Sequence, residues 1–252
     1  MTIDRYGQRA GRPALANSRV LRISKDRCLT SRLLFLARPS HCRYDLPLVT
    51  TLKKRKRTHL INPLEAARIL ARERADSIVV PHPANERYWG AVSGTPGRDF
   101  MPPQSDGEEA AFALGLAMAA PGERVIILDT DESLLSNLGV LVTISDAAPA
   151  NLVHVLFQSG VRNGAAGLPL PGGNHTDFAA IARGAGYASA SLFEDLEELA
   201  GDAAQVLATP GPTLLVIKID PSRSGYDATE PPRRYDMSDT MRDYRASLKD
   251  KG

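Results

Sequence analysis

Three apolar runs set the limits on what this chain can fold into. VIIL (125–128), NLVHVLF (151–157) and TLLVIKI (213–219) are rich in Val, Ile and Leu and show no polar alternation. A strand with one wet face alternates, whereas a strand of a parallel sheet, covered on both faces, reads as a continuous apolar run. Helical stretches separate the runs. EEAAFALGLAMAA (108–120) is a small-residue helix, SLLSNLGVLVTISDA (133–147) reads as one helix, and TDFAAIARGAG (176–186) ends at glycine. This alternation predicts an α/β three-layer sandwich with a mostly parallel sheet. Aromatic residues make up only 6% of the chain against 43% hydrophobic, so the core must be built from small and branched aliphatic side chains.

The pattern extends upstream. Asn62-Pro63 pairs a capping side chain with a proline at the first helical position, so a helix should start there, with Leu64, Ala67 and Leu70 at helical spacing. SIVV (77–80) reads as a short buried strand, and residues 81–107 as a long loop rich in Pro and Gly. Ser191 and Glu194 have the spacing of a capping box and predict a helix start.

Charge divides the chain. Residues 1–60 carry 15 Lys and Arg against three acids, and the remainder is acidic. The basic part ends in KKRKR (53–57), and a targeting arm, a nucleic-acid-binding tail and a disordered extension all fit it. The disordered extension is favoured, and nucleic acid is not the expected partner. Residues 60–222 are expected to form the folded domain and 223–252 a polar surface tail. Both cysteines, Cys28 and Cys42, lie in the basic part, which removes cysteine-ligated metals and disulfides from the domain. No apolar run is long enough to span a membrane, and a cytoplasmic location is expected.

The chemistry concentrates where 125–128 meets the next helix. Ligands of open parallel sheets bind beyond the carboxyl ends of the strands. There the chain places Asp129, Asp131, Glu132 and Ser133, with Gln158 and Ser159 after the next strand. Carboxylate, hydroxyl and carbonyl oxygens suit magnesium, and a helix start favours phosphate. Simple helix capping by Asp131 or Ser133 explains the same residues. A third reading takes Asp129-Thr130-Asp131-Glu132-Ser133 as a phosphatase motif, with Asp129 as nucleophile and Asp131 as general acid.

A longer pattern connects these pieces. From PANERYW (83–89) through GLAMAAP (115–121), VIILD (125–129), SLLSNLG (133–139) and NLVHVLF (151–157), the chain resembles the diphosphate-binding domain of thiamine-diphosphate-dependent enzymes. Among these it resembles the sulfopyruvate and phosphonopyruvate decarboxylases, and the separate beta subunit of the former. The resemblance runs over roughly residues 61–220. The motif of that family is Gly-Asp-Gly followed, after about two dozen residues, by Asn. Asp131 stands at the aspartate and Ser159, 28 positions on, at the asparagine.

The resemblance implies a thiamine-diphosphate-binding fold. Asp131, Ser159 and the Val161 carbonyl would hold Mg2+, and the metal would hold the diphosphate. Gly107, Thr130, Glu132, Ser133 and Gly167 would lie beside the cofactor. It further implies a lyase subunit acting on a small anionic 2-oxo acid. A separate pyrimidine-domain subunit, or a homo-oligomer, would complete the site, because this chain has room for only one of the two modules. A non-catalytic subunit with a regulatory or scaffold role is the alternative.

Four positions depart from the family pattern. Thr130 and Glu132 replace the glycines, Ser159 replaces asparagine, and Asp106 stands where a large apolar residue is usual. Glu132 adds negative charge where a diphosphate should approach. Arg162, three positions beyond Ser159, is expected to offset it. His82, Asn85 and Glu86 are candidates for substrate contact, Tyr88 and Trp89 for packing against a partner or anchoring the loop. His154 is expected to be a packed strand histidine, and His175 either faces the pocket or caps a helix.

Overall fold

The computed structural model describes residues 60–102, 107–162, 168–173, 175–223 and 237–249. The basic segment 1–57, Asp106 and Gly167 lie outside the described residues. Five strands form one sheet in the order β1-β2-β3-β5-β4, and every pairing is parallel. They are β1 (Ile78–Pro81), β2 (Val125–Thr130), β3 (Leu152–Gln158), β4 (Ser189–Phe193) and β5 (Thr213–Lys218).

Alternate strand residues feed two cores, one on each face. Ile127, Leu156 and Val216 point to a core closed by α3 (Glu109–Ala119), α5 (Val140–Ala147) and α6 (Phe178–Ala185). Ile126, Val155, Leu215 and Ile217 point the other way, under α1 (Pro63–Glu73) and α7 (Leu196–Ala208). Both faces are dry, so each strand needs apolar residues at consecutive positions, and the three-layer α/β sandwich expected from the sequence is what forms. Among the described residues no helix is long and apolar enough to cross a membrane.

Several local expectations are corrected. The loop at 81–107 contains a helix, α2 (Pro83–Trp89), capped by His82, whose Nδ1 accepts the Ala84 amide at 3.0 Å. The Asn85 amide donates to the Leu128 and Asp129 carbonyls, both at 3.0 Å, and ties α2 to the end of β2. Trp89 anchors the segment in the core, with the Arg74 guanidinium 5.2 Å from its ring. The single helix expected over 133–147 is split into α4 (Asp131–Ser136) and α5. Asn137 ends α4 and donates its side-chain amide to the Gly107 carbonyl at 2.9 Å.

The stretch around Ser191–Glu194 is strand β4, and Asp195 caps the helix that follows. Within the expected surface tail, residues 237–249 form α8 (Met237–Lys249), and its Tyr244 is buried edge-on against Phe100 at 5.0 Å.

Gly107 lies at the turn into α3 with φ +85°. A Cβ there would stand 2.9 Å from the Asn137 Cβ and 3.1 Å from the Ser133 carbonyl oxygen. Both the backbone conformation and the space exclude a side chain. Gly107→Ala should therefore destabilise the fold by about 2 kcal/mol, measured by urea denaturation. Unchanged stability would show that the turn relaxes freely.

Candidate functional site

The site lies at the carboxyl ends of β1, β2 and β3. Thr130 ends β2 and caps α4, its hydroxyl accepting the Ser133 amide at 3.1 Å. Asp131 is the first residue of that helix, and its side chain is fully buried. Its Oδ2 accepts the Gly160 amide at 2.7 Å, and its Oδ1 accepts the Ser159 hydroxyl at 3.2 Å. The same hydroxyl lies 3.1 Å from the Val161 carbonyl oxygen. The three oxygens assigned to magnesium by resemblance therefore converge.

The two separations from the Ser159 hydroxyl are compatible with an ion. Oxygens of a magnesium octahedron lie about 2.1 Å from the metal, so adjacent ones are about 3.0 Å apart. The Ser159 hydroxyl keeps nearly that distance to each of the other two. Serine is a shorter ligand than asparagine, yet its oxygen stands beside the carboxylate it must join. Among the described residues no group of three His, Cys, Asp or Glu side chains could hold a metal. The candidate donors are instead one carboxylate, one hydroxyl and one backbone carbonyl, hard oxygens of the kind that suit magnesium.

Burial pushes the Asp131 carboxyl up to about 6, although the Gly160 amide and the Ser159 hydroxyl pull it back. A buried carboxylate held above its ordinary range by desolvation gains from a cation placed against it.

Thr130, Asp131, Glu132, Ser159 and Val161 line one cavity of about 120 Å3, together with His82, Asn85 and Tyr88 from the first loop. That volume is well below the roughly 300–1,000 Å3 that encloses a drug-sized ligand. It is of a size for an ion and a small anionic group. Arg162 Nε lies 2.9 Å from Glu132 Oε1, so the expected compensation of the extra acid is present at the rim.

Other expected residues face elsewhere. Ser133 is buried, and its hydroxyl donates to Glu109 Oε2 at 3.1 Å, beneath the turn. A phosphate could use this residue only by displacing those bonds. Gly107 lies behind α4, against Asn137. His175 is exposed and lines a second cavity with Gln158 and Lys218.

Asp129 turns away from the cavity. Its Oδ2 meets His154 Nε2 at 3.0 Å, its Oδ1 accepts the Thr130 amide at 2.7 Å, and the other nitrogen of His154 lies 3.3 Å from the Tyr187 hydroxyl. A fully buried, doubly engaged carboxylate cannot attack a phosphate, which removes the support for the phosphatase reading.

One residue of this region went unnoticed in the sequence. Glu109, beginning α3, looks like an exposed helix-start acid but is buried, with one oxygen accepting from Ser133 and the other unpartnered 3.7 Å from His82 Nε2. Burial raises its pKa, against the pull of His82. Only the register of α3 over β2 reveals this, and nothing local in the sequence does.

Comparison with known proteins agrees with the geometry. The family model described as "Thiamine pyrophosphate enzyme, C-terminal TPP binding domain" matches residues 104–217. Phosphonopyruvate decarboxylase of Streptomyces viridochromogenes is 36% identical over 120 residues, which are 46% of this chain and 28% of that protein. The chain thus spans little more than a quarter of that relative. Sulfopyruvate decarboxylase subunit beta of Methanothermobacter thermautotrophicus is 30% identical over 142 residues, 56% of this chain and 71% of the subunit.

Among solved structures, benzoylformate decarboxylase from Polynucleobacter necessarius superposes with a TM-score of 0.53 at 20% identity, covering 68% of this chain and 36% of that one. The thiamine diphosphate-dependent 4-hydroxybenzoylformate decarboxylase of Rhodococcus jostii gives 0.51 at 19%, covering 64% and 33%. These two likenesses establish the fold. The beta-subunit relative and the matched domain place this chain in the thiamine pyrophosphate enzyme family, as a bearer of its C-terminal TPP-binding domain.

Proposed function

We propose that the chain is the cofactor-binding subunit of a thiamine-diphosphate-dependent decarboxylase acting on a small anionic 2-oxo acid, completed by a separate pyrimidine-binding subunit. The observation that carries this reading is the convergence of Asp131, Ser159 and the Val161 carbonyl at the carboxyl end of β2 and β3. These residues would hold Mg2+, and through it the diphosphate. The bound cofactor would supply the carbanion chemistry, and the chain would bind and orient it. His82, Asn85 and Tyr88 close the cavity on the side of the first loop and would exclude water there.

A partner is supported by the surface and by the relatives' names. The α3 sequence EAAFALGLAMA is apolar on all sides, and a helix of that kind is normally covered all round. Its Met118 is 64% exposed, and Val142 on α5 is 61% exposed. The beta-subunit relatives are, by name, parts of a larger enzyme.

A second reading, a divergent subunit without catalysis, is favoured by one feature. Thr130 places its own hydroxyl on the Ser133 amide, at a turn where the family has glycine. Calorimetry decides between the two. Thiamine diphosphate should bind saturably, and only with Mg2+, to the chain co-expressed with a pyrimidine-domain subunit, and that complex should release CO2 from sulfopyruvate. No binding, with or without a partner, would overturn the decarboxylase reading. Binding gained only in Glu132→Gly would make the chain a non-catalytic subunit and identify the added carboxylate as the cause.

A further inference from the structure

We infer that Arg162 is a diphosphate-contacting residue of this site, and that Glu132 holds its guanidinium at the rim until the phosphates of the cofactor take it over. The inference rests on the cofactor-binding reading and deepens it.

Arg162 is fixed at its backbone and free at its tip. Its amide donates to the Leu168 carbonyl at 2.8 Å, and the neighbouring Val161 bridges to Pro169, so the neck of the loop is pinned. The side chain is 58% exposed, and its Nε lies 2.9 Å from Glu132 Oε1. Its two terminal nitrogens make no hydrogen bond to a described residue, which leaves donors for an incoming anion.

Position does the rest. Arg162 follows Val161, one of the three oxygen donors, and Glu132 follows Asp131, another. Glu132 lines the cavity with those donors, and the guanidinium stands beside it at the rim. Charge points the same way. Asp131 and Glu132 bring two carboxylates to the cavity wall, and a divalent cation only cancels them. A diphosphate then needs further positive charge; Arg87 lines the cavity itself, and Arg162, at the rim beside Glu132, is placed to add to it. Arginine can grip a phosphate through two parallel bonds, and its present carboxylate partner is partly wet and so holds it weakly. Glu132, 25% exposed, keeps the guanidinium near the cavity and competes for it.

The test is calorimetric titration of the chain, co-expressed with a pyrimidine-domain subunit, with Mg2+·thiamine diphosphate and with Mg2+·pyrophosphate. It compares the parent, Arg162→Gln, Glu132→Gln and the double variant. Arg162→Gln should weaken both ligands about tenfold or more, the loss typical of one charge-assisted contact, and flatten their salt dependence. The same loss should persist when Glu132 is already Gln, and Glu132→Gln alone should tighten binding. Equal affinity of the parent and Arg162→Gln would overturn the inference and leave the cofactor site standing. So would a loss that disappears in the Glu132→Gln background, because Arg162 would then only neutralise its neighbour. Binding of neither ligand by the parent or by Glu132→Gln would remove the site itself, and the inference with it.

Discussion

Asp131→Asn will make the free protein more stable near neutral pH while abolishing its magnesium-dependent hold on thiamine diphosphate. The side chain is fully buried, and burial lifts its pKa from 3.8 to about 6. In the unfolded chain the group ionises near 3.8, so between that value and about 6 the fold must increasingly hold a charge it disfavours. The free protein therefore loses stability as pH rises through this window. Above it the penalty is constant, at about 3 kcal/mol. Asparagine carries no charge and keeps the geometry: its oxygen can accept the Gly160 amide, and its amide can face the Ser159 hydroxyl.

Thermal melts of the free proteins at about pH 8 should show the variant several degrees higher. Calorimetry should show its cofactor affinity reduced about a hundredfold or more, because the carboxylate proposed to hold the metal is gone. A variant that melts lower than the parent would contradict the account of a strained, cation-seeking carboxylate. In the parent, protons and metal compete, so magnesium affinity should also fall below about pH 6.

Two residues upstream the sign reverses. Asp129→Ala should cost about 3–5 kcal/mol, the usual penalty for removing one member of a buried pair. Burial alone would raise the Asp129 pKa, but the hydrogen bond and charge of His154 outweigh it and hold the group below its ordinary value. Its contribution is thus complete above about pH 4 and is lost as pH falls through the depressed folded value. The alanine variant leaves His154 Nε2 without its partner inside β3 and the Thr130 amide without its partner at the end of β2 that leads into Asp131. Urea denaturation near neutral pH measures the cost, and repetition under acid conditions should show the gap between parent and variant closing. A loss below about 1 kcal/mol would mean that water replaces the carboxylate.

The contrast between these aspartates shows what the sequence could and could not convey. Both stand at the end of an apolar strand, and by position alone either could be the ligand. The resemblance selects Asp131. The register then explains Asp129: it pairs with Leu156, so His154, two residues back on the same face of β3, lies diagonally beside it. A histidine within NLVHVLF and an acid at the end of VIILD were both visible. Their meeting required the strand alignment.

The strands β2, β3 and β5 were legible because both of their faces are dry. Strand β4 was not, because it is an edge strand whose SAS run is half-buried and imitates a helix cap. Helix α2 is short and lies among prolines, and it is held largely by the tertiary bonds of Asn85. Helix α8 has a polar sequence whose buried Tyr244 gains its place only by meeting Phe100. The break between α4 and α5 serves the Gly107 turn, which contacts Asn137 from 30 residues away. Such non-local bonds leave little trace in local periodicity.

The most direct test of the central claim is a crystal structure of the chain grown with Mn2+ and thiamine diphosphate, with manganese located by its anomalous signal. The predicted result is one manganese peak about 2.2 Å from an Asp131 carboxylate oxygen, the Ser159 hydroxyl and the Val161 carbonyl, with phosphate oxygens completing its coordination. Diphosphate density with no metal at these three oxygens, or a manganese peak elsewhere in the molecule, would contradict it.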